Sequence, residues 1–265
     1  MSAAVVSSIV DPGALGPTEQ EALIDELYGV QQEIFDGVSR ETFAGYVVRS
    51  SAQRTRIQVF RADGRVVGYA ALHVFDCEVG GRACVAVRCE VGLRREIRGG
   101  SRFGWLFARE AARLLLSSRG RPIYGLSCAT SPATYRILTR SAHRVWPHWS
   151  RPTPASLAVL MDELATRFEL RPVDPSRPGV YHVGWKTRET AREVARWRAC
   201  EHPASRFYLG RNPGYREGHG LLLLVPMRPV DVLLGVAGLA RHRLGRATKL
   251  ALGAARTTMT TETSR

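Results

Sequence analysis

Residues able to do chemistry are concentrated between positions 90 and 118. Around Glu90 the side chains alternate: Val85, Val87, Cys89, Val91 and Leu93 fall on one face of a strand, and Ala86, Arg88, Glu90 and Gly92 on the other. The first face reads as core. The second reads as the wall of a cleft carrying the Glu90 carboxylate, with an Arg88–Glu90 ion pair as the competing reading. The strand runs into Arg98-Gly99-Gly100-Ser101-Arg102-Phe103-Gly104 and then directly into a helical run through Leu106, Phe107, Ala111, Leu114 and Leu115. Consecutive glycines let backbone N–H groups converge on an anion, and the helix N-terminus adds a favourable dipole. Arg98 and Arg102 can supply charge-assisted contacts to phosphate oxygens, and a plain structural turn is the alternative. The loop is no Walker A motif, because Gly-Lys-Ser/Thr is missing. The hairpins that precede it also exclude a Rossmann unit.

Other constellations are weaker. The seven histidines (73, 143, 148, 182, 202, 219 and 242) show no His-x-x-x-His spacing and no mixed Cys spacing, so no metal site is expected. No Gly-x-Ser-x-Gly elbow occurs. Cys77, Cys84, Cys89, Cys128 and Cys200 form no C-x-x-C pair and read as reduced, mostly buried thiols. Trp146, His148 and Trp149 would either line an acyl or acceptor pocket or pack in the core. Arg206 to Gly220 is polar and turn-rich, a connection of the kind that often carries binding function.

These residues need elements to hold them. A short strand and a turn fill the first 16 positions. Thr18 then reads as a helix N-cap with Glu21 three residues on, ahead of Leu23, Ile24, Leu27, Val30 and Ile34 at helical spacing. Ser39 starts a second helix through Phe43, Tyr46 and Val47. Hairpins are signalled at Asp63-Gly64 and Gly80-Gly81, the second leading into the strand Ala83 to Leu93. Gly120 ends the helix after the Arg/Gly loop, Ile123 to Cys128 reads as a strand, and Ser131-Pro132 opens another helix. Residues 147–180 are proline-rich around one amphipathic helix at 154–168 and read as an insertion or lid. A strand at 180–185, a helix at 188–200 and a buried strand at 221–225 follow.

The expected organisation is thus a domain over 1–225, an amphipathic helix over 226–254 and a disordered tail over 255–265. Within that helix Val232, Leu233, Val236 and Leu239 would pack on the sheet. Its Arg241, Arg243, Arg246 and Lys249 would otherwise make peripheral contact with anionic lipid.

The 265 residues suffice for a sizeable core, and 45% hydrophobic with 23% charged residues is an ordinary globular composition. No run of eighteen apolar residues and no basic n-region before an apolar stretch is present, so a cytoplasmic protein is expected. The net charge is +14, and all the basic residues but Lys186 and Lys249 are arginine. That balance suits anionic partners such as phosphorylated cofactors or acidic carrier proteins. It is no firm evidence for nucleic acid, because genome composition alone enriches arginine.

The order hairpin, hairpin, Arg/Gly-rich loop, helix, strand, helix over about 55–146 resembles the GCN5-related N-acetyltransferase (GNAT) superfamily, with 18–50 in place of its first two helices. The resemblance implies an α+β fold, a mixed and mostly antiparallel sheet flanked by helices, here with C-terminal additions. Leu93 to Gly104 is similar to the family's fourth strand and its pyrophosphate loop, where strands four and five splay around the pantetheine arm of coenzyme A. Ser101 and Phe103 stand where the family has glycines, and Gly104 comes one position late. The implied donor is acyl- or acetyl-coenzyme A, bound by Leu93, Arg98, Gly99, Gly100, Ser101, Arg102, Phe103 and Gly104, with no metal. Glu90 is then the general base for an amine whose ammonium has a pKa near ~10. Backbone N–H near Gly92 or Leu93 would polarise the thioester carbonyl. The family's tyrosine acid falls at Leu138 and its helix-start asparagine at Ser131, which leaves Tyr135 as the substitute acid. The implied acceptor is an amine on a small molecule or peptide. The larger members that this chain resembles include N-acyl amino acid synthases, which draw on an acyl carrier protein. A non-catalytic module with the same fold and a basic surface is the alternative class.

Overall fold

The computed structural model describes residues 4–98, 104–142, 144–231 and 233–234. The chain opens with strand β1 (Val5–Val10), helix α1 (Pro17–Ile34), the two-residue strand β2 (Phe35–Asp36) and helix α2 (Arg40–Phe43). A π-helical turn at Ala44–Val48 follows, closed by Arg49 N–H donating to the Ala44 carbonyl at 2.7 Å. Strands β3 (Arg54–Ala62), β4 (Arg65–Val79) and β5 (Arg82–Leu93) form the meander, with helix α3 (Gly104–Ser117) and strand β6 (Ile123–Ala129) after it. Then come α4 (Pro132–Ser141), α5 (Ala155–Arg167), β7 (Arg171–Pro172), β8 (Val180–His182), β9 (Lys186–Thr187), α6 (Ala191–Arg198), α7 (Pro203–Arg211) and β10 (His219–Pro226).

Both hairpins sit where the dipeptides predict, and both turns need left-handed backbone: φ is 47° and 76° at Asp63 and Gly64, and 55° and 70° at Gly80 and Gly81. Helix α1 starts one residue before the expected cap. Gly16 is its N-cap, Pro17 fills the first turn, and the Glu19 carboxylate accepts from Gly16 N–H at 2.9 Å. Proline has no N–H to satisfy there, so the Thr18–Glu21 box is not needed. Ser39 caps α2 as expected, accepting from Thr42 N–H.

One sheet has the order β1-β3-β4-β5-β6-β10-β8-β7, antiparallel except for a parallel β5–β6 pair. Helices cover both of its faces. On one, α1, α2 and the π turn bury Leu27, Phe43 and Val47 against Ile57, Val59, Tyr69 and Ala71, and α5 buries Leu160, Met161 and Leu164 against Phe75, Ala86 and Leu224. On the other, α3 places Leu106 and Leu114 over Ala70, Leu72, Val85 and Val87, while α4 and α7 bring Tyr135 and Tyr208 onto Ala129, Leu221 and Leu223. Within the proline-rich segment α5 packs on the sheet, supplying its cover beyond the reach of α1. Residues 206–211, expected within a connection, belong to α7, whose N-cap His202 accepts from Ala204 N–H.

Of the expected C-terminal helix only 226–231 and 233–234 are described, and the tail lies outside the described residues. Leu233, expected on the sheet, is exposed there. Among the described residues no helix is long and apolar enough to cross a membrane.

Candidate active site

The parallel pairing of β5 with β6 runs only from Val85 opposite Ile123 to Arg88 opposite Leu126. Beyond it β5 continues to Leu93 on β4, and β6 continues to Ala129 on β10, with no pairing between them. The two central strands thus part company in mid-sheet. That parting of the two central strands is what the resemblance to the GNAT superfamily implies.

The strand geometry settles which groups face the gap. Val85 N–H donates toward β6, to the Pro122 carbonyl at 2.8 Å, whereas Arg94 N–H donates to Val67 of β4 at 3.0 Å. Backbone direction alternates along a strand, so the amides of Cys89, Val91 and Leu93 point into the gap and that of Gly92 points to β4. Of the two amides expected near the thioester carbonyl, Leu93 is the one so placed. Its carbonyl accepts from Arg98 Nε at 2.9 Å, which ties the first residue of the Arg/Gly loop back to the end of β5. Gly99, Gly100, Ser101, Arg102 and Phe103 lie outside the described residues, and Gly104 is the first residue of α3.

The even-numbered face of β5 lies beneath the first two helices rather than forming an open wall. Glu90 keeps 11% of its side chain exposed, and its carboxylate is held from both sides. Oε1 accepts from Arg88 Nε at 2.8 Å, and Oε2 stands 2.9 Å from His73 Nε2. His73 is fully buried, with Nδ1 3.0 Å from Thr55 Oγ1. Arg88 also donates to the Tyr46 carbonyl at 2.8 Å, and its guanidinium lies over the Tyr46 ring, 3.7 Å from the centroid. The π turn is what brings Tyr46 there, consistent with the usual place of such bulges at functional sites.

Burial alone would raise the Glu90 carboxyl, but the charges of His73 and Arg88, with their hydrogen bonds, outweigh it and hold the group below its usual range. Glu90 is therefore ionised at neutral pH. Tyr46 is driven far the other way, first by burial and then by the Glu90 charge, and stays a neutral phenol. Burial, then Glu90, pushes the Cys128 thiol up to about 12, and burial likewise raises Cys89. The thiols flanking the gap are protonated spectators.

The competing Arg88–Glu90 pair is thus present, and Glu90 is at the same time the carboxylate beside the gap. Tyr135 is placed differently. It is fully buried on α4 against Phe207 and Tyr208, and its hydroxyl donates to the Pro147 carbonyl at 3.2 Å. Those are the contacts of a packing residue. Ser131 is the N-cap of α4, accepting from Thr134 N–H. Trp146 packs in the α5 core, while Trp149 is largely exposed, stacked on His148. Among the described residues no group of three metal-ligating side chains occurs.

Gly92 fixes how closely this face approaches α1. A Cβ there would fall 2.7 Å from the Tyr69 ring, and Tyr69 cannot yield: its hydroxyl donates to Gln31 Oε1 at 2.6 Å and its ring meets Phe43 edge-on. Gly92→Ala should cost about 1–3 kcal/mol, as overpacking does, read as a lower denaturant midpoint. An unchanged midpoint would show that Tyr69 has room to move.

No family model and no curated protein matches the chain. Solved structures that it is similar to include the ribosomal-protein-alanine N-acetyltransferase of Brucella melitensis (14% identity, 57% of this chain and 98% of that one, TM-score 0.37). An acetyltransferase of Trypanosoma brucei is similar at 16% identity over 56% of this chain and 100% of that one, TM-score 0.36. A conserved Enterococcus faecalis protein of unknown function is similar at 14% identity and TM-score 0.34, and there the match spans 50% of this chain and 31% of that longer one.

Proposed function

We propose that this protein is an N-acyltransferase that moves an acyl group from acyl-coenzyme A to an amine. One observation carries the reading: the gap between β5 and β6 faces the amides of Cys89, Val91 and Leu93, unpaired among the described residues, beside an ionised, part-exposed carboxylate, Glu90. An extended thioester arm lying in the gap would hydrogen-bond those amides as a missing strand would. The phosphates would be held by the loop that Arg98 begins, through Arg98, Arg102 and the amides from Gly99 to Gly104. The excess of arginine favours so anionic a donor.

In this reading Leu93 N–H stabilises the developing oxyanion as the amine attacks the thioester carbonyl. Glu90, directly or through a water, takes the proton from the ammonium. Arg88 and His73 hold the carboxylate in place, and the thiolate leaves without an acid from Tyr135, whose hydroxyl is committed to the core. An acyl carrier protein would present the same thioester arm to the gap, and the arginine-rich surface suits its acidity. The placement of Glu90 between Arg88 and His73 favours one rival, a non-catalytic module that kept the fold.

Thermal melting with coenzyme A and with acetyl-, octanoyl- and palmitoyl-coenzyme A tests the reading. A donor at about 100 times its Kd should add ~2.7 kcal/mol of stability. Stabilisation that grows with chain length would mark a long acyl pocket in an acyltransferase, and equal shifts would place recognition in the nucleotide. If none of the four shifts the melt, Arg98 to Gly104 is no coenzyme A site. Acyl transfer from a loaded carrier protein would then separate the carrier-dependent enzyme from the non-catalytic module.

A further inference from the structure

None of the chemistry above uses a cysteine, yet one thiol differs from the rest. Cys200 lies between α6 and α7, at the edge of a surface cavity of about 420 Å³ lined by Arg136, Arg196, Trp197, Ala199 and Cys200 itself. Arg136 reaches it from α4 and Arg196 from α6, the latter stacked over Trp197 at 4.6 Å. Neither arginine has a carboxylate partner among the described residues. Beside the thiol, Ser205 is fully buried and its Oγ is left without a hydrogen-bond partner. Two cations and a part-exposed sulfur thus line one open cavity.

That setting is the opposite of the one around the other cysteines. The Ser205 hydroxyl, the His202 backbone N–H and then the charges of Arg136 and Arg196 stabilise the Cys200 thiolate and hold the thiol below its ordinary value. Burial raises Cys84, Cys89 and Cys128, and Cys77 is buried.

We propose that Cys200 is a thiol-modification site for small anionic disulfides, with Arg136 and Arg196 holding the reagent's negatively charged groups. The step is thiol–disulfide exchange. The Cys200 thiolate attacks one sulfur of an R–S–S–R disulfide, a Cys200–S–S–R bond forms, and R–S⁻ leaves with the electron pair of the broken bond. Cys200 is oxidised and the departing sulfur is reduced, so the disulfide is the only oxidant needed. Carboxylates on a peptide disulfide and phosphates on a nucleotide disulfide offer the same chemistry to the two guanidinium groups.

The test uses the reduced full-length chain, treated separately with oxidised glutathione, coenzyme A disulfide and the uncharged 2-hydroxyethyl disulfide. Adducts are followed in time by intact-mass and peptide mass spectrometry. The first adduct is expected at Cys200, roughly ten-fold ahead of any other cysteine, and absent from Cys200→Ser. Arg136→Gln and Arg196→Gln should each lower the ratio of anionic to neutral reagent rates by about five-fold, the worth of one screened unit charge at close range. Added salt should compress that ratio. Whichever charged reagent is faster identifies the source, carboxylate or phosphate. First modification at Cys77, Cys84, Cys89 or Cys128, or a rate ratio indifferent to both arginine variants, would overturn the proposal. Because no acyl donor enters the assay, its outcome does not depend on the acyltransferase reading.

Discussion

Glu90→Gln is expected to lower the rate of thiol release from acyl-coenzyme A in the presence of an amine by about 100-fold or more, the usual worth of a general base. Donor binding should be unchanged, since the amides in the gap are untouched. Glutamine suits the test because it keeps the size and shape of glutamate and its Oε1 can still accept from Arg88 Nε. The pH dependence separates roles. A base that strips the ammonium matters most where the amine is charged, so the deficit should shrink as pH rises toward the amine's own pKa near ~10. A deficit of equal size at every pH would leave Glu90 a structural carboxylate, and unchanged turnover would remove it from the mechanism.

Arg88→Met is expected to destabilise the fold by about 3–5 kcal/mol, because deleting one partner leaves the other charge buried and uncompensated. Arg88 and Glu90 expose only 16% and 11% of their side chains, so little of the loss is screened by water. The stacking on Tyr46 goes too. Acid titration reads the same network. Glu90's folded-state pKa lies below its unfolded one, so its contribution to stability is present above the ordinary carboxylate range and is lost as pH falls through the lower, folded value. With Arg88 gone only His73 still opposes the desolvation, and that pH-linked gain should shrink. Chemical denaturation of both proteins between pH 3 and 7 would show it. A destabilisation below about 1 kcal/mol would mean that the pair is solvated like a surface bridge.

Period-two alternation made the Arg88–Glu90 relationship legible in the sequence, since residues two apart share a strand face. His73 was within reach as well: a two-residue turn at Gly80-Gly81 pairs Val79 with Arg82, and counting back along both strands sets His73 opposite Arg88. Thr55 was not. The same counting from Asp63-Gly64 would set Arg54 opposite His73, but an irregularity between Phe60 and Arg61 slips the register by one and presents Thr55 instead. Such a slip exchanges the two faces of a strand, and nothing in the residue types announces it. Tyr46 was hidden for a different reason. Its position depends on a π turn that helical spacing does not distinguish from a second α-helical turn. Leu221 to Val225 read correctly as a buried strand, yet its place between β6 and β8 is a matter of tertiary packing that no local pattern encodes.

The placement of β10 orders events during synthesis. Leu221 to Leu224 are all buried, and their hydrogen-bonding neighbour on one side is β6, about a third of the chain upstream. Until those residues leave the ribosome, β6 is an open edge, and the apolar faces of α4 and α5 lack the leucines that complete their cores. A nascent chain that stops short of residue 219 therefore displays a sticky strand edge beside the very gap the finished protein keeps open. The time from translation of β6 to arrival of β10 is its interval of greatest exposure to aggregation and of greatest demand on chaperones.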